Sequence, residues 1–344
     1  MKVWNFGIIG AGLIADFHGK AIQSINNARL ISICGTNKEK VKSLSGKYSC
    51  KGYDTYNELL NSDEIDIVTI ATPSGAHMEP AIEAANKGIH VLCEKPLDIT
   101  LERIDRMIEA HKSANTRLGG IFNFRFNGAV NYLKNVIDSG RFGRLTYASV
   151  QVPRWRNDDY YKDSWHGTMK LDGGGALMNQ AIHMVDILQY LMGPIDSLQA
   201  FTATLGHQIE VEDTGLAIIK FKSGALGMIY GSTASYPGQH RSIEVTGTRG
   251  TVIQVENSFK VWQFVDQTDT DNDIINKFEK MEGGGGISNP AAISFETHAR
   301  NISAFIDAVE SGKPFVLEAE ESRKAVEIVL AIYASAREMK PYYF

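Results

Sequence analysis

The feature of this chain that most constrains its fold is a glycine-rich turn near its start. A short apolar segment, Val3–Ile9, runs directly into Gly10-Ala-Gly12-Leu-Ile-Ala15. The first glycine permits a tight bend, the second lets the backbone approach a pyrophosphate, and the small third residue lets a helix pack closely on a strand. Such a turn also occurs without a ligand, so the neighbouring segments are needed to judge whether it binds a dinucleotide. The residues expected at a dinucleotide are Gly10, Gly12, Leu13 and Ile14.

The end of the second predicted strand, Arg29–Cys34, bears on which dinucleotide is bound. Folds of this kind usually place a carboxylate there to hold the adenosine ribose, but this chain reads Gly35-Thr36-Asn37-Lys38. Lys38 can attract a ribose 2′-phosphate or be a solvated lysine of a first helical turn, whereas Thr36 or Asn37 can hydrogen-bond a bare 2′-hydroxyl. The sequence therefore leaves NAD and NADP open as the cofactor.

Length and charge exclude several classes of protein. The chain has 344 residues, enough for two domains, and a net charge of −5, which argues against a nucleic-acid binder. We find no apolar run of the length of a membrane span. Residues 1–15 weakly resemble a signal peptide, but Asn5 interrupts the apolar run.

The cysteines point to a reducing compartment. Cys34, Cys50 and Cys93 are odd in number and widely spaced, which is typical of free thiols rather than a disulfide framework. We therefore expect a cytoplasmic protein. No Cys/His spacing suggests zinc, and no metal is predicted.

Alternating strands and helices in the first third predict a parallel sheet covered on both faces. The further strands and helices expected there are 65–71, 77–87, 89–93, 101–114 and 117–122. After about residue 125 the strands become longer and alternate in polarity, which predicts a largely antiparallel sheet. The expected domains are 1–125 and 126–344, an α/β fold with a doubly wound parallel sheet followed by a large, mostly antiparallel open sheet. Its open face predicts a homodimer or homotetramer.

The last part of the chain is predicted to be a long loop followed by two helices. Residues 265–292 are polar and include Gly283–Gly286, which is typical of a loop ordered by a ligand. The helices are expected over about 294–311 and 319–339.

Two polar clusters follow predicted parallel strands, where open sheets bind ligands. Thr72-Pro73-Ser-Gly-Ala-His77 ends one strand and Glu94-Lys95-Pro96 ends the next. Burying an ammonium group is costly unless it is paired, so Lys95 is either one half of a structural Lys–Glu ion pair or a group that hydrogen-bonds a substrate hydroxyl.

A third cluster, Asp172-Gly-Gly-Gly-Ala-Leu-Met-Asn179-Gln-Ala-Ile-His183, opens a predicted helix. Asn179 and His183 are four residues apart, so they share one helix face. Histidine can take a hydroxyl proton near neutral pH. A lone histidine is more often structural, but the glycines and the second polar residue favour a functional role.

A fourth cluster combines arginine and aromatic residues. Arg154-Trp155-Arg156 precedes an aromatic loop over residues 160–166 that contains Trp165. Such residues suit an anionic or sugar-like ligand through bidentate hydrogen bonds and ring stacking. The alternative is an exposed loop whose aromatic rings pack on the domain below. Arg125 is a further expected substrate-binding residue.

The glycine turn, the Thr72–His77 segment, Glu94-Lys95-Pro96 and the glycine-rich helix ending in His183 occur in an order that resembles the Gfo/Idh/MocA oxidoreductases. The resemblance covers essentially the whole chain. It implies an N-terminal Rossmann domain, a C-terminal domain with a large open sheet, and oxidation of a secondary hydroxyl of a sugar, cyclitol or nucleotide sugar. The cofactor contacts then include Thr72, Pro73, His77, Glu94 and Lys95.

The resemblance also implies catalytic roles. Lys95 orients and polarises the reacting oxygen, His183 accepts the proton, and Pro96 follows a cis peptide bond. Many members carry aspartate where this chain has Asn179. An amide can hold a hydroxyl but cannot take its proton, so Lys95 and His183 are left as the proton-transfer candidates.

Three hypotheses remain open from the sequence. The leading one is an NAD(P)-dependent dehydrogenase of a small sugar, polyol or sugar derivative such as a UDP-sugar acid, with Asn179 and His183 also contacting the substrate. The second is transient oxidation by a tightly held NAD that permits elimination of a glycosidic group. The third is a non-catalytic sensor of dinucleotide and sugar, against which Lys95 and His183 argue.

Overall fold

The computed structural model describes residues 2–62, 64–162, 164–279 and 294–344. The strands are β1 Trp4–Ile9, β2 Ala28–Cys34, β3 Lys51–Tyr53, β4 Ile67–Ile70, β5 His90–Glu94, β6 Leu118–Ile121, β7 Leu145–Pro153, β8 Ile195–Ala203, β9 Thr214–Phe221, β10 Leu226–Ser232, β11 Ser242–Gly247, β12 Gly250–Val255, β13 Ser258–Phe264 and β14 Tyr342–Tyr343. The helices are α1 Leu13–Gln23, α2 Lys38–Tyr48, α3 Tyr56–Ser62, α4 Met78–Asn86, α5 Leu101–Ser113, α6 Gly128–Asp138, α7 Asp158–Tyr161, α8 Ile182–Met192, α9 Asp269–Glu279, α10 Glu296–Ser311 and α11 Ala319–Glu338.

The chain forms two compact units that differ from the predicted domains. Unit 1 comprises residues 1–123 and 295–326, and unit 2 comprises 124–294 and 327–344. The first boundary lies two residues from the expected one, but 295–326 belongs to unit 1. There α10 packs on α1, and the Gly120 amide donates to the Leu317 carbonyl at 2.9 Å. The sequence of an amphipathic helix shows that the helix has an apolar face. It does not show which hydrophobic core that face packs against.

Unit 1 contains a six-stranded parallel sheet in the order β3-β2-β1-β4-β5-β6. This order confirms the predicted doubly wound fold. The central strands are continuously buried because helices cover both faces; Ile67–Ile70 is buried at every position. Their carboxyl ends lie along one edge, so the turns after β1, β2, β4 and β5 follow strands that end on the same side of the sheet.

Unit 2 contains an eight-stranded sheet in the order β13-β12-β11-β7-β10-β9-β8-β14. Its described pairings are antiparallel except for β7 with β10, which confirms the predicted mostly antiparallel sheet. Along β9 buried and exposed residues alternate. The buried face packs on the segment 176–192, and the opposite face exposes large apolar side chains, among them Phe201, Leu216 and Ile218.

The predicted loop 265–292 is wrong over its first part, where the structure has α9. Asp271 of this helix is buried, and both of its carboxylate oxygens accept 2.7 Å hydrogen bonds from Arg141. The Trp262 indole donates to Asp271 at 2.7 Å. Asp271 is polar, so its burial adds nothing to the hydrophobic pattern of the sequence. For this reason the sequence predicted a loop where the structure has α9. Residues 280–293, with Gly283–Gly286, lie outside the described residues.

Among the described residues, none of the helices combines the length and apolar character needed to cross a bilayer.

Candidate functional site

The glycine turn has the geometry that a dinucleotide site requires. Gly10 has φ +122°, and a Cβ there would lie 2.4 Å from the Ala71 carbonyl oxygen, so no other residue fits. Gly12 starts α1 with no side-chain cap and has open space where its Cβ would be. The amides of the first turn are thus available to a phosphate. Leu13 and Ile14, in the first turn of α1, are 49% and 37% exposed, so their side chains are accessible at this turn.

The end of β2 presents Thr36, Asn37 and Lys38 as exposed residues. The Asn37 side-chain oxygen accepts the Lys40 amide at 3.0 Å and caps α2. The Lys38 ammonium lies 2.6 Å from the Asp54 carboxylate. The lysine that could attract a ribose phosphate therefore already has a counter-charge, supplied by a residue that the sequence pattern did not single out.

His77 connects the turns that follow β4 and β5. It is 1% exposed, and its ring nitrogens lie 3.0 Å from the carbonyl oxygens of Thr72 and Pro96. Thr72 also donates from its hydroxyl to the Ala76 carbonyl at 3.0 Å. His77 thus shapes this edge of the sheet from inside, and Thr72 and Pro73 remain half-buried at its surface.

Glu94 lies at the end of β5, and its carboxylate is held inside unit 1. His18 Nε2 donates to Glu94 Oε1 at 3.0 Å, and the Lys95 amide donates to Oε2 at 3.1 Å. Burial raises the pKa of Glu94, but the hydrogen bond and charge of His18, with the charges of His298 and Lys95, outweigh it and lower the pKa to about 2. The predicted cis peptide bond between Lys95 and Pro96 is confirmed.

The same cluster contains the one candidate metal-ligand group found among the described residues. One ligand atom from each of His18, Glu94 and His298 lies within 4.8 Å of the others. His18 Nε2 already donates to Glu94 Oε1 at 3.0 Å, and the other ring nitrogens also have protein partners: Thr69 Oγ1 lies 3.0 Å from His18 Nδ1, and the Asn123 amide faces His298 Nδ1 at 3.3 Å. We assign the cluster a hydrogen-bonding role that fixes the turn carrying Lys95.

In unit 2, the segment that carries Asn179 and His183 begins differently from the prediction. Residues 176–181, including Asn179, form a π-helical turn, and His183 lies in the first turn of α8. Such turns are rare and are frequent at functional sites. The preceding glycines are needed for close packing: a Cβ on Gly175 would lie 1.8 Å from the Glu212 carbonyl oxygen.

Glu212 holds the start of this segment. Its carboxylate accepts the amides of Gly175 and Leu177 at 2.9 and 2.8 Å and the Tyr333 hydroxyl at 2.9 Å. Burial raises the pKa of Glu212, although these hydrogen bonds oppose the shift. Desolvation also raises the pKa of the Tyr333 phenol. His183 is half-buried and stacks on Phe124, with ring centroids 4.4 Å apart.

Three expected substrate contacts, the arginines, are largely buried. Arg125 forms two hydrogen bonds to Asp186 at 2.8 and 2.7 Å, and Arg154 donates to Glu256 at 3.2 Å. Arg156, in contrast, donates to the side-chain oxygen of Gln180 at 2.8 Å. Of the three, Arg156 is therefore the one linked directly to the segment that carries Asn179. Arg125 and Arg154 as substrate contacts stay predictions.

The aromatic residues form one connected group in unit 2. Trp155 lies 5.7 Å from the His207 ring and 5.3 Å from the Tyr236 ring, and Trp165 lies 3.9 Å from the His166 ring, all between centroids. Tyr160 and Tyr161 join these contacts, because Tyr161 lies 5.0 Å from His207 and Tyr160 lies 4.3 Å from His166. A cavity of about 1080 Å³ lies next to this group, lined by 13 residues that include His166 and His207. The sequence analysis gave ligand contact and internal packing as equal alternatives for Trp155 and Trp165, and both alternatives remain.

Sequence reasoning missed the polar partners of Asn179. Asp172 accepts its amide at 2.6 Å, Gln180 donates to its side-chain oxygen at 2.7 Å, and His166 Nδ1 lies 3.4 Å from its side-chain nitrogen. The Tyr160 ring stacks on His166 with centroids 4.3 Å apart. The only available signal was the position of Asp172 just before the glycine run.

A parallel sheet with a phosphate-type glycine turn, joined in sequence to a large open sheet, defines a nucleotide-dependent oxidoreductase of two units. The chain matches the oxidoreductase family with an NAD-binding Rossmann fold over residues 4–121 and the GFO/IDH/MocA C-terminal domain over residues 130–253. It belongs to the Gfo/Idh/MocA oxidoreductase family. The predicted family, enzyme class and dinucleotide cofactor are thus confirmed, and the protein is an NAD-binding oxidoreductase.

Several known proteins resemble this chain over most or all of its length. The WlbA dehydrogenase from Bordetella pertussis, solved in complex with NADH and UDP-GlcNAcA, is 32% identical; the match covers 100% of this chain and 98% of that one, with a TM-score of 0.91. Myo-inositol 2-dehydrogenase from Thermotoga maritima is 27% identical over 98% of this chain and 97% of its own length. Levoglucosan dehydrogenase from Pseudarthrobacter phenanthrenivorans is 28% identical over 74% of each chain.

Proposed function

We propose that the protein oxidises a secondary hydroxyl of a UDP-linked sugar acid, with NAD as the hydride acceptor. The observation that carries this proposal is the likeness, along the full length of both chains, to a dehydrogenase solved with NADH and UDP-GlcNAcA. The more general activity, oxidation of an alcohol group of a sugar or sugar derivative, is supported by membership of the family.

The residues of unit 1 fit the dinucleotide. The Gly10–Gly12 turn leaves room for a pyrophosphate, and the start of α1 offers amide donors to it. When bound, NAD supplies the nicotinamide ring that accepts hydride. Because Asp54 neutralises Lys38, the end of β2 offers little net attraction for a 2′-phosphate. This pairing favours NAD over NADP.

The chemistry of the alcohol is assigned to two side chains. Lys95 follows the cluster of His18, Glu94 and His298, which fixes its backbone; its ammonium group orients the hydroxyl and stabilises developing negative charge on the oxygen. His183 accepts the hydroxyl proton. Asn179 holds a neighbouring hydroxyl without exchanging a proton, because an amide does not ionise.

The Asp172 carboxylate contacts the Asn179 amide directly, at 2.6 Å, and Arg156 supplies the positive charge on the other side of that amide. This guanidinium supports an anionic substrate. Arg156 donates to Gln180 at 2.8 Å, and Gln180 donates to Asn179 at 2.7 Å, so a guanidinium lies two hydrogen bonds from the amide. Arginine favours carboxylate and phosphate because its planar fork matches two oxygens. A sugar acid or its diphosphate supplies such groups, whereas an uncharged polyol does not.

The test is a substrate panel followed by NADH absorbance. UDP-GlcNAcA, UDP-GlcNAc, myo-inositol and levoglucosan are each mixed with the protein and NAD. We expect the largest kcat/KM for UDP-GlcNAcA and a lower value for UDP-GlcNAc, which lacks the carboxylate. A larger kcat/KM for either uncharged compound contradicts the proposed substrate.

The panel also separates the other two hypotheses. Product formed without accumulating NADH, from protein that copurifies with nearly one NAD per subunit, indicates transient oxidation. Absence of turnover on every compound, together with a protein partner recovered in a pull-down, indicates a sensor.

A further inference from the structure

The side chains of Asp172 and Asn179 form a short hydrogen bond within unit 2. Asp172 is 2% exposed; its Oδ1 accepts the Asn179 amide at 2.6 Å, and its Oδ2 accepts the Gly167 main-chain amide at 2.9 Å. Both oxygens of the carboxylate therefore act as acceptors, one towards the main chain and one towards position 179.

These bonds give the Asn179 amide a defined direction. Its nitrogen faces Asp172 and its oxygen accepts from Gln180, which is in turn held by Arg156. Turning the amide by 180° would set its oxygen against a carboxylate oxygen and its nitrogen against the Gln180 donor. Each of these contacts lacks a hydrogen bond, so one orientation is selected.

The same contact excludes a second carboxylate. An aspartate at position 179 would bring two acceptor-only groups to about the 2.6 Å spacing that the amide now occupies. Two carboxylates at that distance cannot both stay ionised, so the pair must take up a proton.

Three other titratable groups of the described residues face Asp172. His166 Nδ1 lies 3.8 Å from its Oδ2, and the half-buried Tyr160 and Tyr161 have raised pKa values, first because of desolvation and then in part because of the Asp172 charge. These groups are present both in the native chain and in any variant at position 179. A comparison of the Tm values of these proteins at one pH therefore reports the effect of the new carboxylate alone.

We propose that Asp172 is a positioning residue that orients Asn179 towards the substrate and makes an amide necessary at position 179. The role in orienting substrate rests on the proposed function, whereas the requirement for an amide does not.

The test exchanges the two side chains. Asn179→Asp creates the carboxylate pair, and Asp172→Asn combined with Asn179→Asp restores one amide and one carboxylate in reversed order. In the exchanged pair, residue 172 still accepts the Gly167 amide, and residue 179 still accepts from Gln180. Thermal unfolding without substrate or cofactor is followed at pH 8 and pH 5.5. Asn131→Asp, on the exposed side of α6, is the matched control.

We expect Asn179→Asp to lower the Tm by about 4 °C at pH 8 and by less at pH 5.5. The paired carboxyl has a raised pKa in the folded chain, so the native state binds an extra proton and loses stability as the pH rises. The exchanged variant should recover most of the loss at pH 8, and Asn131→Asp should change little. If Asn179→Asp does not fold, recovery of a folded protein by the exchange supports the proposal.

Two outcomes overturn the pairing: an Asn179→Asp protein as stable as the native chain at both pH values, or an exchanged variant no more stable than Asn179→Asp. The positioning role is tested separately on the substrate that the panel identifies. Asp172→Asn should raise KM more than it lowers kcat, and an unchanged KM contradicts this role. Failure of UDP-GlcNAcA as substrate leaves the unfolding result interpretable, since that measurement contains no ligand.

Discussion

Lys38 and Asp54 form an ion pair of 2.6 Å at the exposed end of β2. The lysine is the positive charge nearest in sequence to the predicted ribose site, and the aspartate neutralises it. We infer that both residues of the pair influence the coenzyme preference; Lys38 begins α2, whereas Asp54 follows β3.

Asp54→Asn should therefore improve the use of NADP relative to NAD. Removing the carboxylate leaves Lys38 available to a 2′-phosphate, and an exposed interaction of this kind changes the kcat/KM ratio by about fivefold. The ratio is measured with both coenzymes on one substrate. Adding Lys38→Gln to the variant should remove the gain, and Asp307→Asn, an exposed change on α10, should leave the ratio unaltered.

Lys95→Met should lower kcat by about 10², the usual contribution of a group that assists proton transfer. The change keeps the length of the side chain and removes its charge. NAD binding, followed by quenching of tryptophan fluorescence, should be retained. Lys313→Met is the control, because Lys313 is exposed on unit 1. Near-native kcat in Lys95→Met would remove this lysine from the mechanism.

His111 should make the protein less stable in mild acid. It is buried, its Nε2 lies 3.1 Å from the Ala81 carbonyl oxygen, and burial lowers its pKa from 6.5 to about 4. The unfolded chain therefore binds the proton first, and stability is lost as the pH falls from 6.5 towards 4. At pH 5 the loss is about 2 kcal/mol.

His111→Gln should flatten the dependence of Tm on pH between 7 and 5, because glutamine does not titrate. His240→Gln, at a half-exposed position, serves as the control. Equal slopes for the native chain and His111→Gln would contradict the assignment.

Gly175→Ala should destabilise the protein by roughly 3 kcal/mol, since its Cβ would overlap the Glu212 carbonyl oxygen. Urea unfolding provides the measurement. At Gly128 the added Cβ would meet its nearest neighbour, Phe278, at 3.6 Å, an ordinary contact. Gly128→Ala should therefore stay within about 0.5 kcal/mol of the native chain, and an equally small effect at Gly175 would show that the helix start tolerates a shift.

The open face of the eight-stranded sheet should mediate self-association. Leu216 and Ile218 of β9 are 41% and 61% exposed, and Phe201 of β8 pairs with Leu216. Ile218→Glu should convert the predicted homodimer or homotetramer into a smaller species in light scattering after size exclusion, because it places a charge in an apolar interface. Lys222→Glu, in the exposed turn after β9, should leave the assembly intact.

The parallel sheet was predictable because its strands and helices alternate and have strong apolar patterns. The turn at Gly10 was predictable because few backbone conformations are possible there. Two of the unpredicted elements are short or polar: β3 has three residues, and α9 is anchored by the buried Asp271. Such elements depend on partners far away in the chain, which no local pattern reveals.

The site follows the same division. Lys95, Asn179 and His183 could be selected because each stands in a motif of unusual composition. Their supports could not be: His18 and Glu94 are 76 positions apart, and Glu212 reaches Gly175 across 37.

The sequence by itself determined the dinucleotide turn, the alternation of strands and helices in the first domain and the residue types available for chemistry, because these depend on local backbone freedom and hydrophobic period. Only the tertiary structure decided which charges are neutralised, which amide is oriented and which helices join each core. Those outcomes depend on distances between groups remote in sequence, and electrostatic and hydrogen-bond energies change steeply with such distances.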